Sequence, residues 1–177
     1  KGMKEQLEEI DRIANNPEQP TFENTLVELE RTGKTLSKVT DVFFNLLSSN
    51  TNEQMDKIAT EVSPKLSAHS DAISLNKKLF DRVHAVYEQR NELGLNTEQM
   101  RLVEETHKGF IRSGVQLDTP SMEKLTQINQ ELSSLSVQFD QNLLKETNEG
   151  FSLIIDDEKQ LDGLPEDFRD QASKLAE

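Results

Sequence analysis

The sequence contains no cysteine, which excludes disulfides and thiolate metal sites and fits a reducing compartment. No apolar run exceeds three residues, as in Val42-Phe43-Phe44 and Leu153-Ile154-Ile155. A membrane-spanning helix and the core of a signal peptide both need far longer runs, so both are excluded. There is no Asn-x-Ser/Thr acceptor for N-glycosylation. The seven glycines are scattered and form neither Gly-x-x-x-x-Gly-Lys nor Gly-x-Gly-x-x-Gly, so the common phosphate cradles are missing. Apolar residues are also scarce, at 33%, below the usual share for a globular domain. Long, thin helical packing would produce this, and so would a segment whose remaining parts cover its surface.

What is abundant is acid. Asp and Glu total 33 against 20 Lys and Arg, a net charge of -13. The mean field therefore repels phosphate backbones and anionic lipid, and neither nucleic acid nor membrane is expected as a partner. At 177 residues the chain fits one domain or a piece of a larger one. It begins at Lys1 without an initiator methionine, so either a removed leader or an excised segment is expected.

Apolar spacing is helical along most of the chain. Leu7, Ile10, Ile13 and Ala14 lie three or four apart, which predicts a helix over 4–14 closed by Asn15, Asn16 and Pro17. Thr21 suits an N-cap, with Glu23 in the first turn to meet the helix dipole. Phe22, Leu26, Leu29, Gly33, Leu36, Val39, Phe43 and Leu46 then predict one long helix with a narrow stripe, Gly33 lying on that stripe. Thr51 or Asn52 can cap a helix through Met55, Ile58, Val62, Leu66 and Ile73, and Pro64 predicts a kink or a junction of two helices within it. Asn76 restarts the chain into a helix over 77–93, with Leu79, Phe80, Val83, Val86 and Tyr87 on one face and Gly94 as the stop. Thr97 is expected to cap the next, carrying Leu102, Val103, Phe110, Ile111 and Val115. A helix over 122–147 displays Leu125, Ile128, Leu132, Leu135, Phe139 and Leu143. The stripes are expected to form intramolecular core rather than a docking surface.

After Gly150 the pattern changes. Phe151–Ile155 reads as one short strand whose partner is missing, and a C-terminal helix follows "LDGLPEDF". The fold class is therefore all-α, a bundle of long antiparallel helices with that strand and a C-terminal helix. Two parts are expected, a helical domain over 1–149 and a strand-and-helix segment over 150–177.

Few groups could carry chemistry. None of His69, His84 and His107 lies in His-Glu-x-x-His, so the two-histidine zinc grip of metalloproteases is absent. Glu104 and His107 form Glu-x-x-His, and Asp81 and His84 repeat the spacing with Asp. Di-iron bundles use such turns, but the spacing is common in acid-rich helices, and ordinary boundary histidines are expected. No Gly-x-Ser-x-Gly elbow exists, and the serines of "LSSLSVQ" sit on a helix. Glu8 with Glu9, and Asp156 with Asp157, read as solvated carboxylates. No catalytic, cofactor-binding or metal-binding residue is assigned.

Four stretches nevertheless match something specific: "IANNPEQPTFENTLVELERTG" (13–33), "VFFNLLSSNTNEQM" (42–55), "PKLSAHSDAISLNKKLF" (64–80) and "LSSLSVQFDQNLLKETN" (132–148). Together they resemble the N-terminal region of the peptidyl-dipeptidase branch of the thimet oligopeptidase family of zinc metallopeptidases. "PTFENT", "VFFNL" and "NLLKET" are more similar to that branch than to oligopeptidase A. The resemblance implies a nearly all-helical enzyme of two lobes around a channel, in which a zinc-dependent site releases dipeptides from the C-termini of oligopeptides. It implies that the zinc ligands lie in a C-terminal catalytic part of the same chain, matched by no position here. This segment would be a non-catalytic wall of the channel, inactive alone, in a cytoplasmic enzyme, with the periplasm as the alternative. The competing reading is a free-standing helical module that binds partner helices.

Overall fold

The computed structural model describes residues 1–150, 153, 155 and 157–175. Contacts divide the chain into two compact units, Lys1–Asp140 and Gln141–Glu177. Among the described residues every regular element is helical, and the fold is an all-α bundle. The strand expected at Phe151–Ile155 falls largely outside the described residues. Leu153 and Ile155 are described and lie in no strand, in keeping with the missing partner edge.

Helix α1 (Gly2–Ala14) ends where Asn15 folds back, its side-chain amide donating to the Asp11 carbonyl at 3.0 Å and the Asp11 carboxylate at 2.7 Å. Thr21 then caps a π-wound turn, Phe22–Val27. Its hydroxyl accepts from the Asn24 N–H at 3.1 Å, while the Asn24 side chain accepts from the Thr21 N–H at 2.8 Å. This reciprocal pair satisfies two donors that would otherwise be orphaned at a helix start. A single turn, α2 (Glu28–Glu30), continues it.

The expected unbroken helix from Phe22 to Leu47 does not form. Gly33 adopts a left-handed conformation at φ 72°, its N–H donates to the Glu9 carboxylate at 2.8 Å, and α3 (Lys34–Ser49) starts anew beyond it. A glycine read as a stripe position is instead the corner between two helices, because only glycine takes that backbone without strain.

Helix α4 (Glu53–Ser74) is capped by Asn52, whose side chain accepts from the Gln54 and Met55 N–H groups at 3.1 Å each. It runs through Pro64 as one helix, not as two meeting there. Its buried positions are also not the expected ones. Ala59, Ser63, His69 and Asp71 turn inward, whereas Ile58 is exposed. α4 packs against α1, and small side chains permit that approach.

Helix α5 (Lys77–Gln89) starts at Asn76, whose side chain accepts from the Leu79 N–H at 3.1 Å. It stops short of the expected Leu93; the chain turns through Arg90 to Gly94, where φ is 64°. Helix α6 (Thr97–Arg112) is capped by Asn96, paired reciprocally with Gln99, and not by Thr97, which is the first helical residue. Helix α7 spans Thr119–Lys145, a π-wound turn covers Glu146–Gly150, and α8 spans Glu166–Leu175.

The core lies between α1, α5, α6 and the Phe22–Val27 turn. Ile10, Ile13, Leu79, Phe80, Val83, Phe110 and Val115 form one cluster, and Phe22, Leu26, Val86 and Val103 another. Burying each such side chain contributes about 1.5–3 kcal/mol. By contrast, α3 and α7 bury no residue. Their stripes, expected to be core, are exposed at Val39 and Leu46 and along Ile128, Leu132, Leu135 and Phe139.

Candidate functional site

Among the described residues polar groups gather in several places. The first is a groove of about 560 Å³ between α3, α4 and α7, lined by Phe44 and Leu66 with Leu132, Val137, Asn129 and Asp140. Ser63, Ser67, Ser133 and Ser136 add hydroxyls to its wall. The Asn129 amide is held by a 2.9 Å hydrogen bond donated to the Asp71 carboxylate. A mostly apolar trough with a few fixed polar groups suits an extended or helical polypeptide segment.

The second place is the Asn16–Asn24 segment, which wraps around Arg82. That guanidinium is buried at 6% exposure. It donates to the Asn16 and Glu18 carbonyls at 2.8 and 2.9 Å and to the Asn24 side chain at 2.9 Å. Burial pushes the Arg82 pKa down, and Glu18 acts against that shift. The segment is therefore a structural loop tied to α5, and no substrate-binding role is needed to explain its composition. Sequence reasoning missed Arg82, although a signal was present: it lies three residues after Leu79 and four before Val86, on an otherwise apolar face.

The third place joins two of the three histidines. His84 Nδ1 and His107 Nε2 are 3.0 Å apart, and the His107 ring lies parallel to Tyr87, centroids 3.9 Å apart. Phe80 stacks near both rings, and the Arg90 guanidinium sits 3.8 Å from the Tyr87 centroid. Burial first, then His84 and Arg90, push the His107 pKa down, while Glu88 pulls it up. Glu104, one turn before His107, faces Arg90 at 3.8 Å. Its carboxylate thus serves an ion pair.

His69 is placed elsewhere. Its Nε2 lies 2.8 Å from Gln6 Oε1, and the Gln6 amide donates to Thr32 at 3.3 Å, so the ring ties α4 to α1 and the α2 corner. Burial lowers its pKa. Among the described residues no three His, Cys, Asp or Glu side chains converge as a metal-binding group. Of the carboxylate pairs, Glu9 fixes Gly33, Glu8 faces Lys4 at 3.8 Å, and Asp157 accepts from the Lys159 N–H at 3.0 Å. Asp156 lies outside the described residues.

No protein-family model matches the chain. Individual relatives do. It is 39% identical to dipeptidyl carboxypeptidase of Escherichia coli over 93% of this chain and 24% of that protein. It is 40% identical to the enzyme of the same name from Salmonella typhimurium, over 94% of this chain and 25% of that protein. The chain is a homologue of part of the dipeptidyl carboxypeptidases. A weaker match, 24% identical over the whole chain, is to oligopeptidase A of Escherichia coli, of which it spans 26%. The chain thus spans about a quarter of the length of the peptidases it matches. Among the described residues no helix is long and apolar enough to cross a membrane.

Proposed function

We propose that this chain is the N-terminal, non-catalytic helical segment of a zinc-dependent peptidyl-dipeptidase that releases dipeptides from the C-termini of oligopeptides, and that it forms part of the wall of the substrate channel. One observation carries the reading: identity of 39–40% to dipeptidyl carboxypeptidases runs across 93–94% of this chain. The exposed stripes of α3 and α7 support it, since a catalytic part of the same chain would cover apolar surface that is costly to leave in water. Residues 1–149 supply the wall, and 150–177 lead toward the catalytic part. Zinc would be bound in that part; among the described residues of this segment no three donor side chains converge as a metal-binding group. We place the enzyme in the cytoplasm, with the periplasm as the alternative; the absence of cysteine fits a reducing compartment.

The reading frame past Glu177 tests this. A His-Glu-x-x-His motif with a later glutamate is the expected result, together with no hydrolysis of a blocked oligopeptide by the 177-residue chain alone. A stop codon soon after Glu177 would overturn it. The same exposed stripes favour a second reading, a free-standing module that binds partner helices. Saturable binding of a defined amphipathic helix to α7, abolished by Leu132→Asp, would distinguish it.

A further inference from the structure

We propose that the contact between α5 and α6 is a proton-operated latch, closed while one of the two facing nitrogens of His84 and His107 carries a proton and the other does not, and opened when both do. At 3.0 Å between His84 Nδ1 and His107 Nε2, one nitrogen donates and the other must accept. Full protonation of both rings places two N–H groups and two positive charges face to face, an arrangement that distance cannot hold. His84 is exposed to solvent, whereas His107 is buried.

The neighbouring groups set when the second proton arrives. From α5, Glu88 favours a charge on His107, and His84 opposes it; Arg90, just beyond that helix, opposes it too. From α6, Glu104 is drawn toward Arg90, and Arg101, Glu105, Lys108 and Arg112 line the same hollow as Tyr87 and His107, Glu105 lying 3.0 Å from Arg101 and 3.5 Å from Lys108. The other elements packed on α5, namely α1 and the Phe22–Val27 turn, meet it through apolar side chains such as Ile10, Ile13 and Leu26, and through the backbone and side-chain acceptors on Arg82. Burial and the adjacent cations hold His107 below the ordinary imidazole range, so the latch stays shut at neutral pH and responds to acid. Because His107 lies flat on Tyr87, its displacement uncovers the tyrosine ring.

Tyr87 is the single tyrosine of the chain, which has no tryptophan, so intrinsic emission reads this contact alone. Emission, acrylamide quenching and far-UV circular dichroism would be followed from about pH 8 to about pH 4. Expected is a rise in quenching of Tyr87 on acidification that precedes any loss of helix signal. The deciding variant is His84→Asn, which alters an exposed residue and removes the opposing imidazolium; in it the quenching should stay low across the range. His107→Gln should also lose the rise, and His69→Gln should keep it. The proposal is overturned if quenching and helix signal change together, if His84→Asn opens like the parent, or if Tyr87 stays covered at a pH where the histidines are seen by NMR to be fully protonated.

Discussion

Helices α5 and α3 carry apolar residues at the same three-and-four spacing, yet one is the centre of the molecule and the other lies on its surface. In α5, Leu79 and Val83 are 0% exposed and Val86 is 1%. In α3, Val39 is 64% exposed and Val42 61%. Periodicity gives a helix an apolar face, but burial requires that another element be available to meet it. α5 meets α1, α6 and the Phe22–Val27 turn at once, whereas α3 packs chiefly on α1. There, an added Cβ on Gly2 would lie 3.0 Å from the Leu36 backbone. α7 repeats the lesson, with Leu132 and Phe139 at 60% and 65% exposure.

The comparison can be broken by mutation. Leu79→Ala should lower stability by about 2–5 kcal/mol in urea denaturation, whereas Phe139→Ala on α7 should change it by less than about 0.5 kcal/mol. Equal losses would mean that the α7 stripe is buried in solution, by self-association or otherwise. Arg82→Ala removes the charged donor from four acceptors and should cost roughly 2 kcal/mol. Hydrogen exchange should then report loosening of residues 16–24 first. Gly33→Ala should cost about 1–2 kcal/mol through its left-handed backbone, with a further clash against the Gln6 amide; chemical denaturation against Gly109→Ala, a helical position with nothing near the added methyl, isolates that effect. Asn52→Ala should cost about 1 kcal/mol by uncapping α4, seen as a matching fall in the urea midpoint.

The smallest effect sharpens the contrast within the core. His69 and His107 are both held below the unfolded value of 6.5. A depressed histidine binds fewer protons folded than unfolded, so its contribution to stability is fully present above about pH 6.5 and declines as pH falls from there through the folded-state value. A pH series of urea midpoints should show this decline, reduced in His69→Gln.

Much of the helical order was legible in the residues themselves. Thr21, Asn52 and Asn76 act as the caps that their chemistry suggests, and Asn15 to Pro17 end α1, because these signals operate within a few residues. Asn96 took the cap expected of Thr97, since both types suit that position and only the backbone decides between them. Gly33 was read as a stripe residue because it falls on the heptad spacing; its left-handed corner depends on Glu9, 24 residues away. The histidine pair was equally hidden. His84 and His107 each look like boundary residues on separate helices, and their contact spans 23 positions.

By itself, then, the sequence determined an all-α chain, several of the places where helices start, a repulsive field for anions, and kinship with peptidases. Those follow from composition, local hydrogen bonding and residue identity. Only the tertiary structure decided which apolar faces are buried, that Arg82 organises the Asn16–Asn24 loop, and that two distant histidines share a contact. The reason is physical. Helices are specified by interactions a few residues apart, but the partner of a helix face is chosen by packing among elements far apart in the chain, where small residues such as Gly2 and Ala59 permit the approach.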